Sequence, residues 1–163
     1  MKLKLLTLNH SLLFLCTSIY LGTGWSLVLF SFPVAPSLTT DNYYMQFVPQ
    51  VTAATKFLTW LTLLMIALAI VMLIAEWRTR FRWVPIVVLL GVLAATGLTM
   101  KFLLPLNQEM AARITDPDRL GQVLTKWMSL NRVRVGMWTV QWLAMMVYFA
   151  VKTFQREELI RAR

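Results

Sequence analysis

Four long stretches of this chain carry no charged side chain, and that distribution of charge constrains the fold more than any motif does. Residues 5–40 contain no Asp, Glu, Lys or Arg, and residues 57–75, 83–100 and 135–151 are uncharged runs of 19, 18 and 17 residues. At ~1.5 Å per helical residue, each run crosses most of a hydrocarbon core ~30 Å thick, and its flanks supply the rest. Lipid offers no water to backbone N–H and C=O groups, so each run must satisfy them internally, as a helix. The expected fold is all-α: one integral membrane four-helix domain over residues 1–163, with approximate spans 10–32, 53–75, 83–104 and 132–152. Composition agrees. Hydrophobic residues make up 58% of the chain and charged residues 14%, against about 25% charged in a soluble domain.

The first run is too long for the apolar region of a secretory signal and lacks a convincing small-residue cleavage site, so it reads as a retained helix. Pro33 and Pro36 are expected to end it. Basic residues set the orientation. Lys2, Lys4, Arg78, Arg80, Arg82, Lys152, Arg156, Arg161 and Arg163 fall at one set of span ends, and three of these arginines crowd the short loop from Trp77 to Arg82. The positive-inside rule places that loop and both termini in the cytoplasm, most simply at a bacterial inner membrane. Trp25, Trp60, Trp77, Trp83, Trp127 and Trp138 lie at or near span ends, where tryptophan anchors to the interface. The net charge of +9 is then a matter of topology and lipid headgroups, and no nucleic acid is expected as a partner.

The outer segments are expected to be residues 34–51 and 105–130. In the second, Glu109 and Arg113 stand four apart and could pair on a short helix after Pro105. Asp116-Pro117-Asp118 reads as a helix start, with Asp116 as cap and Pro117 in the first turn. The short helix that follows carries Leu120, Val123, Leu124 and Trp127 on one face.

Scarce residue types exclude several functions. One cysteine, Cys16, forms no intrachain disulfide or CxxC pair, and reads as a small packing residue. One histidine, His10, rules out a haem held by two histidines of this chain and a histidine-rich metal site. No metal or other cofactor is expected.

Polar residues inside the runs show which faces turn away from lipid. Thr52, Thr55, Thr59 and Thr62 share one face of the second helix, as helix-packing residues or as the wall of a pocket. Thr17, Tyr20, Gly24 and Ser31 do so on the first, with Gly22 and Thr23 beside them. Thr96 and Thr99 lie on the third. The fourth is the most telling: Trp127, Asn131, Arg134, Trp138, Gln141 and Met145 recur at spacings of three and four. Arg134 either snorkels to headgroups or turns inward to Glu109, Asn107 or Asn131. Lys101 faces the same choice, with snorkelling the simpler outcome. Turned inward, Arg134 completes a polar group of Asn107, Glu109 and Asn131 at the outer mouth, roofed by the aromatic segment at Tyr43 and Tyr44. Together with Trp127 and Trp138, this site suits a planar, partly polar molecule. Arg134 and the amides would orient its oxygen, and Glu109 would take a proton.

The run Leu104-Pro105-Leu106-Asn107, a polar helix, then Lys126-Trp127, Asn131-Arg132 and Arg134 opening a final apolar helix resembles the anthrone oxygenase-like family of small four-helix membrane proteins. Members often show Pro-x-Asn after the third helix, and a tryptophan, a histidine and an arginine entering the fourth. Pro105, Asn107, Trp127 and Arg134 match, and Gly22 and Gly24 precede an apolar run ending in Pro36 and Leu38. The likeness covers most of the chain in layout and about half a dozen residues in motif. Asn131 stands where the histidine is expected, and asparagine cannot act as a base near neutral pH.

The resemblance implies binding or oxidation of a hydrophobic aromatic or quinone-like molecule. In that role Asn131, Arg134 and Glu109 form the reactive group and Asn107, Trp127, Trp138, Tyr43 and Tyr44 the binding group. A second reading is a non-catalytic subunit of a larger membrane complex, or a homo-oligomer. A transporter or channel is third, since no span carries an acid or a break near its midpoint. An open cavity lined by Arg134 and Asn107 would favour the first reading over the second.

Overall fold

The computed structural model describes residues 2–161, with side chains beyond position 3 apart from Leu159. Arg163 and the side chain of Lys2, both counted toward orientation, lie outside the described residues. Every regular element among them is helical. Helix α1 (Lys2–Ser26) continues through a π turn (Leu27–Ser31), one helical turn (Phe32–Val34) and a 3-10 turn (Ala35–Ser37). Helix α2 is Tyr43–Glu76, and α3 is Trp83–Leu98. A second π turn (Thr99–Leu103) joins α3 to α4 (Leu104–Ala111), and α5 is Pro117–Arg161. The helices α1, α2, α3 and α5 pack as a ring, each touching its neighbours in chain order and the last closing on the first.

Three stretches are long and apolar enough to cross a membrane: Lys4–Ser37, Tyr43–Glu76 and Trp83–Ala111. Their outward positions are large and apolar, with Trp60 75%, Ile74 74% and Leu90 63% exposed, a surface that lipid covers and water does not. The fourth expected span does not reach the same hydropathy. The 45-residue α5 carries Arg132, Arg134, Gln141 and Lys152. Its exposed face nevertheless changes character along its length: Lys126, Ser129 and Arg132 give way to Val133, Val140, Leu143, Met146 and Val147.

Pro33 does not end the first helix, which runs on to Ser37 and stops just after Pro36 as expected. Each π turn is followed at once by an X-Pro pair, Phe32-Pro33 and Leu104-Pro105. The amide of Phe32 bonds back to the Leu27 carbonyl and that of Leu104 to the Thr99 carbonyl. This wider turn relieves the ladder just where proline has no N–H to give, so the chain stays helical through both sites. The expected short helix after Pro117 is likewise not separate. It is the first part of α5, with Asp116 Oδ1 accepting from the Asp118 amide at 3.0 Å, and nothing between Trp127 and Arg134 breaks the helical pattern.

The buried residues form two cores. One lies toward the termini and joins Leu13, Cys16, Met65, Met72, Val88 and Met145. The other lies toward the 38–42 and 112–116 connections and joins Phe32, Tyr43, Leu106, Met110, Val123 and Leu124. Gly24 permits the tight α1–α5 crossing, because a Cβ there would fall 2.7 Å from Trp138 and 2.9 Å from Val135.

Candidate functional site

Between the two cores lies a cavity of about 810 Å³, walled by all four long helices. Tyr20, Leu27 and Ser31 come from α1 and its π turn, and Thr55, Thr59 and Thr62 from α2. Thr96, Thr99 and Asn107 come from α3, its π turn and α4, and Trp127, Asn131, Arg134, Trp138 and Gln141 from α5. It reaches the surface beside Phe30, Val34 and Met100, which line it and are exposed. The α2 threonines serve both expected purposes: they face the cavity, and Thr55, Thr59 and Thr62 return their hydroxyls to the carbonyls of Val51, Thr55 and Leu58 at 2.7–2.8 Å. Thr52 is exposed and outside the lining.

The polar wall on α5 is a relay of fixed hydrogen bonds. Trp127 Nε1 donates to Asn107 Oδ1 at 2.9 Å. Asn131 Nδ2 donates to the Trp127 carbonyl at 2.9 Å, and its Oδ1 accepts from Arg134 Nη1 at 3.0 Å. The Arg134 guanidinium lies over the Trp138 ring at 4.6 Å, and Trp138 in turn packs 4.9 Å from Tyr20, centroid to centroid. Arg134 therefore turns inward. Its Nε is buried without a hydrogen-bond partner, and among the described residues no carboxylate pairs with it. The Tyr20 hydroxyl is already bound to the Leu58 carbonyl at 2.8 Å and to Thr62.

Three expected site residues are placed elsewhere. Glu109 does not line the cavity. Arg119 grips its carboxylate from outside, with Nε–Oε1 2.6 Å and Nη2–Oε2 2.9 Å, and that carboxylate raises the Arg119 guanidinium above its ordinary pKa. The expected Glu109–Arg113 pair is absent because α4 ends at Ala111 and Arg113 takes a left-handed backbone, φ 64°. That conformation belongs to the residue just past a helix end. It turns the Arg113 side chain over the Tyr44 ring at 4.5 Å. Tyr43 is not a roof either. It is fully buried, its hydroxyl donates to the Met110 carbonyl at 3.0 Å and accepts from the Ile114 amide at 2.5 Å, and so it fastens α2 to the end of α4. The structure thus brings Asn107, Trp127, Asn131, Arg134 and Trp138 together and leaves Glu109, Tyr43 and Tyr44 out. The lining, among the described residues, contains no carboxylate, histidine or lysine.

A second polar cluster escaped the sequence reading. Toward the termini, the buried Tyr148 hydroxyl donates to Glu76 Oε1 at 2.7 Å and meets His10 Nδ1 at 3.0 Å. Since Tyr148 gives its proton to Glu76, the histidine Nδ1 is the donor in the other bond. Thr79 Oγ1 donates to Glu76 Oε2 at 2.6 Å and Lys152 Nζ lies 3.3 Å from Oε1. The cluster ties α1, α2 and α5 together. Its signal in the sequence is Glu76, an acid that directly follows the uncharged run 57–75.

Lys101 is exposed, as expected of a snorkelling lysine, and Trp25, Trp60, Trp77 and Trp83 are exposed as interfacial anchors require. Trp127 and Trp138 are buried and serve the cavity instead. No family model, curated protein or solved structure matches this chain.

Proposed function

We propose that this protein is an integral membrane binding protein for a planar, hydrophobic, quinone-like molecule, held in the cavity with a carbonyl or phenolate oxygen against Arg134. One observation carries this reading: a half-buried guanidinium, its Nε enclosed and unpartnered, faces an open, largely apolar cavity with no carboxylate among the described residues that line it. Retaining an unpaired charge in such a place is expensive, and an electron-rich oxygen on a ligand is the partner that offsets it. Asn131 and Asn107 hold the arginine and the Trp127 ring in place, and Trp138 supplies an aromatic wall. The openings beside Phe30, Val34 and Met100 lie among lipid-facing side chains and give a membrane-dissolved molecule a lateral route in. The open cavity supports ligand binding over the role of a packing subunit, which would fill that space. With no base in the lining, the supported activity is binding or transfer of the ligand.

In this reading α5 also crosses the bilayer, along the apolar exterior from Val133 to Val147, and the cavity lies toward the outer face of a bacterial inner membrane. Layout and the matching Pro105, Asn107, Trp127 and Arg134 support membership of the anthrone oxygenase-like family, in a form with Asn131 in place of histidine. The test is equilibrium binding of a para-naphthoquinone to the protein in lipid nanodiscs, read by tryptophan quenching. Arg134→Gln should weaken it by roughly tenfold to a hundredfold, since a hydrogen bond from a charged donor contributes about 1.5–3 kcal/mol. Unchanged affinity would remove the site.

A further inference from the structure

The deep end of the cavity holds a second recognition group. Gln141 is 1% exposed and lines the cavity, and neither its Nε2 nor its Oε1 has a hydrogen-bond partner among the described residues. An amide buried in this way forfeits the hydrogen bonds it would make in water, and native structures rarely leave both atoms unmet. The same lining includes Met65 on α2 and Val92 on α3, and among the described residues no side chain bonds the carboxamide. The opposite helix makes room for it: a Cβ on Gly91 would lie 2.5 Å from Gln141 Nε2, 2.7 Å from Cγ and 2.8 Å from Cδ. Glycine at this position lets the amide stand between α3 and α5 at the cavity floor.

Gln141 follows Arg134 by seven residues, two turns or about 10 Å further along the same face of α5. The Trp138 ring lies between them in register. Along α5 the cavity thus presents a cation midway down the wall, an aromatic face, and a neutral donor–acceptor pair at its deep end.

We infer that the ligand carries hydrogen-bonding groups at both ends of a flat scaffold, an oxygen acceptor met by Arg134 and a hydroxyl or similar donor–acceptor group met by the Gln141 carboxamide. This rests on the binding function proposed above and narrows its ligand class. A hydroxyl suits Gln141 because it can donate to Oε1 while accepting from Nε2, whereas a bare ring edge leaves both atoms unpaired.

Two probes decide it: a para-naphthoquinone with a hydroxyl on the ring remote from its carbonyls, and the same molecule with a methyl there. Binding is measured to the full chain in lipid nanodiscs, with wild type, Gln141→Met, Gly91→Ala and Arg134→Gln compared. The hydroxyl probe should bind wild type roughly tenfold more tightly than the methyl probe. Gln141→Met should bring that ratio close to one while hardly changing the affinity for the methyl probe. Gly91→Ala displaces the carboxamide without deleting it and should lower the ratio too. It also decides the matter alone if Gln141→Met fails to give a monodisperse, helical protein. A hydroxyl preference that survives both substitutions, while Arg134→Gln still weakens both probes, overturns this inference and leaves the binding function standing. If neither probe binds wild type, or if Arg134→Gln affects neither, the binding function fails and this inference fails with it.

Discussion

In the proposed function Arg134 serves ligand binding and not stability. Its Nε is unsatisfied, and among the described residues its one hydrogen-bonded side-chain partner is Asn131 Oδ1. Arg134→Met would remove a half-buried cation without a carboxylate partner, which is favourable, and strand the Asn131 oxygen, which costs about 1–3 kcal/mol. The two changes offset each other. The thermal midpoint in detergent, followed by circular dichroism, should therefore move by only a few degrees, while naphthoquinone binding collapses. Glu109 gives the opposite test. Its carboxylate is occupied by Arg119 on the exterior, so Glu109→Gln should leave ligand affinity unchanged within about twofold, the scatter expected of a side chain remote from the site. A large loss would return Glu109 to the site as a base. At this scale the periodicity of α5 made Asn131, Arg134, Trp138 and Gln141 legible as one inward stripe. The destination of Glu109 was not legible, because it turns on a single left-handed residue, Arg113, for which an arginine gives no signal.

Among the elements, one small residue and one polar cluster contribute to the contact between α1 and α5, beside the Trp25–Thr139 and Trp142–Ser18 hydrogen bonds. Gly24→Val would drive methyl groups into Trp138 and Val135, and overpacking of this kind costs about 1–3 kcal/mol. Gly22→Val meets open space, since nothing lies within 4 Å of a Cβ there. A thermal melt of the pair should show a loss for Gly24 alone. At the other end of the same helices, Tyr148→Phe would leave the Glu76 carboxylate and His10 without their shared hydroxyl. Breaking a buried hydrogen bond to a charged group costs about 1.5–3 kcal/mol, so the midpoint should fall with little change in ligand affinity. Helix positions followed from the uncharged runs. Helix ends did not, because the backbone carries prolines inside its helices and stays α-helical through Pro49. The two π turns stand immediately before the Phe32-Pro33 and Leu104-Pro105 pairs.

For the whole molecule, the topology rests on lipid as solvent. With Cys16 replaced by Ser, single cysteines at Arg80 and Ala112 should react with an impermeant maleimide from opposite sides of the membrane in intact cells, Ala112→Cys being the one labelled from outside. Labelling of both from one side would overturn the four-crossing arrangement. The amino-acid sequence by itself determined the solvent, the helical class, the order of helices and the inward face of α5, because charge-free length and a 3.6-residue period act locally along the chain. Only the tertiary structure decided that two cores leave a cavity between them, that Gly91 clears space for Gln141, and that His10, Glu76 and Tyr148 meet. Those are contacts between residues on different helices. A helical period fixes which face a side chain takes, but the rotation, tilt and depth of one helix against the next are set by packing of all four at once.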